Sequence, residues 1–361
     1  MGFGEFIGDA PAVARLRELI AAGGLNRALL LAGPRGVGKT TLAIFAGLAL
    51  NCEQPPAPGD FCGACASCRQ LDPGWRDLEA MTAAALEFRE QQGKTRAREE
   101  APLVLRVHPE IEIYPPDGDF LSMAQARRIG ERGHRRSDRG RYWTVIVPEF
   151  ERARWMTQAT LLKTLEEPPP RTALLLLAEN PLELLPTVRS RALLLTLPPA
   201  SPPALARLLA ERRGELSAAE REAVARWSQG RPGRALRLDP AEYRELRRQA
   251  LLLLATAGGS GPWAPLFEMT QQAARPGKER LESLVEILYS LLQDILYLLS
   301  DRPEAIRNAD CRAELSGLAQ QFNLRSVAFA TEEADRVLAA TRRNAQRGLA
   351  LEAWALRLAR A

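Results

Sequence analysis

The chain has 361 residues, 26% of them charged and 46% hydrophobic, and 49 basic against 44 acidic side chains leave a net charge of +5. Those fractions exclude a disordered or fibrous chain, and the length accommodates two or three domains. The mild basic excess permits a nucleic acid or an acidic partner without demanding one, and no uncharged apolar run approaches the ~20 residues of a membrane span.

The opening residues, MGFGEFIGDA, carry neither a basic nor an apolar region, so no signal peptide is expected and a cytoplasmic protein is the default. Ala10–Ala22 places Val13, Leu16, Leu19 and Ile20 near helical spacing and stops at Gly23-Gly24. Ala28–Ala32 is a short apolar run, as in a strand buried on both faces, and Thr40–Leu50 reads as a helix. Residues 73–106 are polar, with the charged run GKTRAREE at 93–100. They read as a surface insertion, helical over Leu78–Gln92. Buried-strand candidates follow at Glu110–Tyr114, Trp143–Val147, Ala173–Leu177 and Ala192–Leu197, interleaved with helices at Met123–Arg132 and Thr157–Glu166. That alternation predicts an α/β domain, a parallel sheet with helices on both faces. Beyond Pro198-Pro199 the pattern is helical alone: Leu205–Arg213, Ala218–Trp227, Arg234–Leu238, then long amphipathic helices from Pro240 onward. The expected organisation is an α/β domain at 1–200 with a cysteine module at 52–68, a small helical domain at 201–240 and an all-α domain at 241–361.

Gly33-Pro34-Arg35-Gly36-Val37-Gly38-Lys39-Thr40 matches G-x-x-x-x-G-K-[ST] in full, after a strand and at the opening of a helix. The glycines let the backbone wrap an anion, and successive N–H groups with the helix N-terminus face a β-phosphate. Lys39 can neutralise the β- and γ-phosphates and Thr40 can ligate Mg²⁺, with Thr41 completing the segment. ATP or ADP is the expected ligand, with Mg²⁺ left open. Lysine occurs only at Lys39, Lys94, Lys163 and Lys278, all other basic side chains being arginine, so its retention here is informative.

Hydrolysis at such a loop needs a strand ending in an acidic pair, an Asp to help hold Mg²⁺ and a Glu to orient water. Trp143–Val147 is followed by Pro148-Glu149-Phe150-Glu151. Glu149 occupies the glutamate place, but Pro148 stands where the Asp belongs and has no carboxylate. Nucleotide binding with impaired hydrolysis is expected; Glu149 reads equally as a solvated acid at a strand end.

Cys52, Cys62, Cys65 and Cys68 form C-x₉-C-x₂-C-x₂-C. Disulfides are not expected in a cytoplasmic chain, and four thiolates suit a closed, structural Zn²⁺ site. An iron–sulfur cluster is the competitor, without the Cys-Pro element of bacterial ferredoxins. Cys311 stands alone and reads as a small core residue. LLKTLEEPPP (161–170) is a helix stopped by prolines and LLPTVRSR (184–191) a basic turn before a strand; spacing alone assigns neither any chemistry.

Taken together, GPRGVGKTTLA, the cysteine module directly after the P-loop helix, LLKTLEEPPPRT and ENPLELLPTVRSRA closely resemble the δ′ branch of the bacterial DNA polymerase III clamp-loader family, within the AAA+ proteins. Asn344–Ala353 is similar to the family's last collar helices. The resemblance implies an AAA+ P-loop α/β domain, a helical lid and a helical collar. It implies that Arg191, in a Ser190-Arg191-Ala192 version of the family's Ser-Arg-Cys motif, reaches in trans to the γ-phosphate on a neighbouring subunit. It implies that Arg234, in Gly233-Arg234-Ala235, is the sensor-2 arginine. Pro148 departs from an active ATPase, as does Ala178-Glu179-Asn180 where a sensor-1 Thr or Ser usually stands. Both departures suit the family's stator, which would join γ/τ and δ in a hetero-pentameric ring. Through that complex it would serve the sliding clamp and primer–template DNA, with no membrane partner. The rivals are a γ/τ-type ATPase, which an intact acid pair would favour, and a zinc-containing DNA-binding protein, which would want a clustered basic face with exposed aromatics.

Overall fold

Among the described residues six strands carry the N-terminal half: β1 (Leu29–Ala32), β2 (Leu105–His108), β3 (Ile111–Ile113), β4 (Trp143–Val147), β5 (Thr172–Ala178) and β6 (Leu193–Thr196). They form one sheet in the order β2-β3-β4-β5-β1-β6. All neighbours are parallel except β2, which runs antiparallel on β3. Every residue of β1 and β5 is buried, which is why both read as unbroken apolar runs rather than alternations. Successive side chains point to opposite faces. Leu29, Leu31, Ile146, Leu175 and Leu177 join one core cluster, while Leu30, Val145, Val147, Leu174 and Leu176 join another. The first cluster packs α1 (Ala10–Ala21) and α2 (Lys39–Asn51); the second packs α4 (Met123–Arg132), α5 (Trp155–Glu166) and α6 (Pro186–Arg189). Between them in sequence, α3 (Leu78–Gln91) lies in the insertion.

The computed structural model describes residues 2–8, 10–23, 25–91, 102–132, 142–273, 278–342 and 347–360. The charged run at 93–100 and the start of the expected last collar helix at Asn344 lie outside them. The chain divides into two compact units, Met1–Leu216 with Ser228–Leu236, and Ser217–Trp227 with Arg237–Ala361. The 201–240 segment is shared: α7 (Pro202–Arg212) and α9 (Pro232–Arg237) fall in the first unit, α8 (Ala218–Trp227) in the second.

Among the described residues the second unit is all helical, with α10 (Pro240–Ala257), α11 (Trp263–Ala273), α12 (Lys278–Leu299), α13 (Arg312–Ala319), α14 (Leu324–Arg342) and α15 (Arg347–Leu358). Leu253, Leu254, Leu288, Leu291, Leu315, Ala330 and Trp354 are buried in it. Asp294, fully buried on α12, accepts from the Arg307 and Asn308 amides at 2.9 Å each and from Asn308 Nδ2 at 2.7 Å. Trp227 stacks on Tyr243 with ring centroids 4.4 Å apart, and the Arg247 guanidinium lies 5.0 Å from the Trp227 ring while pairing with Asp310. This cluster fastens α8 to α10. Among the described residues no helix is long and apolar enough to cross a membrane.

Among the described residues three elements were not foreseen, and one of them, α6, is a single helical turn inside the stretch read as a basic turn. β2 is a four-residue edge strand with Arg106 exposed, too short for a pattern. α11 follows a Gly-rich turn and presents no clean apolar stripe in the sequence.

Candidate nucleotide and metal sites

The P-loop leaves the C-terminal edge of β1. Gly33, Gly36 and Gly38 all take positive φ, at 150°, 80° and 107°, a region that side chains with a Cβ disfavour. At Gly33 there is no space either: a Cβ would lie 2.5 Å from the Leu197 carbonyl oxygen. A Cβ at Gly36 would meet the Arg234 amide nitrogen at 3.4 Å, and one at Gly38 the Phe6 ring at 3.0 Å. The loop is tied to β5 by Gly33 N–H donating to the Ala178 carbonyl (3.1 Å), and to α9 by Gly233 N–H donating to the Gly36 carbonyl (2.9 Å). Gly38 then caps α2, and Leu42 N–H donates back to the Gly38 carbonyl at 2.9 Å. Val37 is buried; Pro34, Thr40 and Thr41 are half-buried, and Arg35 is exposed, 3.4 Å from Glu79 of α3. This is a backbone cradle opening on a helix N-terminus, the arrangement that holds a phosphate.

Lys39, half-buried, donates to the carbonyls of Gly33 (2.5 Å) and Pro34 (3.1 Å). Burial pulls its pKa down, against the opposing fields of Glu179, Glu151 and Glu149; Arg35 adds to the lowering. Three carboxylates therefore face the ammonium where sequence spacing suggested one.

Their geometry separates them. Glu149 follows β4 and Pro148 in a left-handed conformation, φ 49° and ψ 46°, and accepts from Arg152 Nη1 at 2.9 Å. Glu151 lies one turn on, in a short 3₁₀ segment Phe150–Arg152 pinned by the buried Phe150. Its Oε1 accepts the Glu179 amide at 3.1 Å, while Oε2 is enclosed and has no hydrogen-bond partner among the described residues. Burial pushes the Glu151 carboxyl above its ordinary pKa. Glu179 itself stands exposed at the end of β5. Pro148 offers no carboxylate to a metal, but Glu151, with an orphaned Oε2, does, so the residues present fit Mg²⁺ through a different carboxylate from the expected one. The turn that swings Glu151 toward Lys39 leaves no mark in sequence spacing.

Arg234 belongs to α9, and its amide nitrogen abuts the P-loop at Gly36 as given above. Arg191 is placed elsewhere. Leu29 pairs with Leu193 and Ala32 with Thr196 in parallel register. Arg191 precedes β6 and the P-loop follows β1, so they lie at opposite ends of the paired strands, whose four residues span about 13 Å at ~3.3 Å per residue. The Arg191 guanidinium binds Glu166 Oε1 at 2.5 Å and the Thr187 carbonyl at 3.1 Å. Glu166 ends the helix containing LLKTLEE, so the two stretches that sequence spacing could not interpret meet in this pair.

The four cysteines converge. Cys52 caps the C-terminus of α2, and its sulfur lies 3.7 Å from that of Cys62. All four Sγ atoms lie within 4.8 Å of one another, and none is in a disulfide. Zn–S bonds of about 2.3 Å put tetrahedral sulfurs about 3.8 Å apart, so the site fits Zn²⁺. Amides face the sulfurs: Cys62 N–H to Cys52 Sγ (3.3 Å), Cys65 N–H to Cys62 Sγ (3.2 Å) and Cys68 N–H to Cys65 Sγ (3.4 Å). Burial alone would raise the Cys65 thiol; hydrogen bonds, from the Cys68 amide foremost, outweigh it and bring it to about 6. A thiolate is the form a metal binds. The module is locked to the sheet by Phe61, which packs on Phe45 of α2 (centroids 4.9 Å), and by His108 of β2. His108 Nδ1 accepts the Glu110 amide at 3.0 Å, which leaves Nε2 to donate to the Ser67 carbonyl, also at 3.0 Å.

The DNA polymerase III, delta subunit family model matches residues 8–92 and 80–201, more than half of the chain. Among curated proteins, the gamma/tau subunit of DNA polymerase III from Mycobacterium tuberculosis is 29% identical over 192 residues, 52% of this chain and 27% of that one. The delta′ subunit from Pseudomonas aeruginosa is 30% identical over 226 residues, 62% of this chain and 59% of its own. The Escherichia coli delta′ subunit is 27% identical over 274 residues, 75% and 71% of the two chains. The chain spans about a quarter of the length of the first curated relatives it matches. A solved DNA polymerase III gamma subunit-related protein from Thermotoga maritima is 15% identical with a TM-score of 0.39, over 97% of this chain and 99% of that one.

Proposed function

The chain belongs to the DNA polymerase III delta-subunit family, and from that premise we propose that it is the δ′, or stator, subunit of a clamp loader. The observation that carries this reading is the placement of Arg191 at the end of the strands opposite its own P-loop. A guanidinium there is of no use to nucleotide bound by the same chain; to serve a neighbour it would exchange its pair with Glu166 for that neighbour's phosphate. Its planar fork suits bidentate contact with phosphate oxygens and the charge that develops on a transferring phosphoryl group. Pro148 supports the same reading, because a strand end without a carboxylate is poor equipment for a motor. The delta′ alignments also run further along this chain than the gamma/tau ones.

In this reading residues 1–200 form the P-loop domain, 201–240 the lid and 241–361 the collar that joins γ/τ and δ in a five-membered ring. The ring acts on the sliding clamp and primed DNA in the cytoplasm. Gly33–Thr41 and Arg234 hold ATP or ADP, and Cys52, Cys62, Cys65 and Cys68 hold a structural Zn²⁺. The chain contributes Arg191 to a γ/τ site and turns over little nucleotide itself.

The test is Arg191→Ala in a complex reconstituted with γ/τ and δ. The variant should keep its zinc, its nucleotide affinity and its place in the complex. DNA-stimulated ATPase and clamp loading should fall; such a finger is worth about 10³–10⁵ at its own site, diluted across the complex where other sites keep theirs. Normal loading by the assembled variant complex would exclude the finger role. The second reading is a γ/τ-type ATPase, which the complete P-loop and the gamma/tau alignments favour. Brisk ATP turnover by the isolated chain, lost in Glu149→Gln, would establish it.

A further inference from the structure

We propose that Glu151, two residues beyond the usual acid pair, is the carboxylate on which Mg²⁺-dependent nucleotide binding relies in this chain. The proposal rests on the reading of Gly33–Thr40 as a nucleotide site and assigns within it a role that Pro148 leaves vacant.

Three observations converge. First, two hydrogen bonds, one to the Glu151 side chain and one along the backbone, join Glu151 to the phosphate cradle. Glu151 Oε1 accepts the Glu179 amide, and the adjoining Ala178 carbonyl accepts the Gly33 amide. Glu151 is thus registered to the start of the P-loop across β5. Second, the remaining oxygen, Oε2, is enclosed and without a hydrogen-bond partner among the described residues. Buried polar atoms are almost always paired, and a lone carboxylate oxygen is costly to enclose. Third, the other two acids near Lys39 are poorly placed for the task. Glu149 is engaged by Arg152, whose guanidinium is also held by the carbonyls of Gly118 (2.8 Å) and Asp119 (3.0 Å). Glu179 stands exposed at the strand end. Mg²⁺ bound to nucleotide takes one or two carboxylates and fills the rest of its octahedron with phosphate oxygens and water. A single oriented carboxylate beside the P-loop is sufficient equipment. Moving it from the strand end to a 3₁₀ turn keeps the charge while giving up the strand-end Asp.

The experiment titrates N-methylanthraniloyl-ADP into the purified full chain, in Mg²⁺ and separately in EDTA, and compares the two affinities. Wild type should bind more tightly in Mg²⁺, by about tenfold or more. Glu151→Gln keeps an Oε1 acceptor for the Glu179 amide and removes only the charge, so it should fold; a thermal melt checks this. Its Mg²⁺ advantage should collapse toward one with the EDTA affinity unchanged, and Glu151→Asp should restore part of it. A Glu151→Gln variant that keeps the full Mg²⁺ advantage overturns the proposal. So does one that binds more tightly in both buffers, which would make Glu151 a repeller of phosphate. No binding by wild type in either buffer would overturn the nucleotide reading itself. Binding that is lost in Lys39→Ala but indifferent to Mg²⁺ overturns only the role of Glu151.

Discussion

At Gly33 two constraints coincide, a φ of 150° and a backbone oxygen 2.5 Å from any Cβ. Gly33→Ala should therefore displace the loop from β6, costing about 1–3 kcal/mol in a denaturant melt and weakening nucleotide binding together with stability. A second residue-level expectation concerns Asp310. Burial works against its charge, but the hydrogen bonds and field of Arg247 win and hold its pKa below the usual carboxylate value. The folded state therefore favours the ionised form. The stabilisation is complete above the ordinary aspartate range and drains away as pH falls through the lowered native pKa. Asp310→Asn should accordingly melt below wild type at neutral pH, with the gap closing in acid. A constant gap across the pH range would show that packing, not charge, sets the effect.

At the scale of elements, legibility follows periodicity. β1 and β5 were plain in the sequence because both of their faces are buried and the residues are apolar without a break. The edge strand β2 was not, since Arg106 interrupts its four residues and nothing in composition marks it. The P-loop and the cysteines were legible because their chemistry fixes their spacing. The Glu151 turn and the Arg191–Glu166 pair were not, because each depends on neighbours brought together by the parallel sheet, 28 and 25 residues apart. α12 illustrates the same limit from the other side. Its Asp294 stands among apolar residues with no marker of its role in the sequence, yet it collects three donors from the segment after the helix. Asp294→Ala should orphan them and cost about 3 kcal/mol or more at ~1–3 kcal/mol per buried unpaired group, measured by urea unfolding. The cysteine module is a comparable clasp. Cys65→Ser should release zinc, seen by elemental analysis, and lower the melting temperature, because metal binding and local folding are one process.

For the whole molecule, the division into two units makes an expectation about how damage spreads. The cysteine module belongs to the first unit, where Cys65, Cys68, Phe61 and Trp75 join its core. Chelation should raise amide hydrogen exchange in peptides from α2, β2 and the module, while peptides from 240–257 and 281–299 keep their protection. Loss of protection in both sets would mean that the two units unfold as one. Spacing in the sequence marks the glycines of the loop and the four cysteines, but not which side chains meet across the sheet. Motifs name the groups; only the sheet decides which of them can serve the same molecule.

The parallel register of β1 with β6 carries one last consequence. A cradle suited to phosphate at one end of the sheet and an arginine at the other would, on the proposed reading, give the chain a front and a back. Contacts between such chains are directional, each joint matching unlike surfaces, so a row of them has two different ends. On the proposed reading, with no carboxylate at Pro148 and an arginine for a neighbour, this chain would belong at the end of such a row where a group is handed on and little is received.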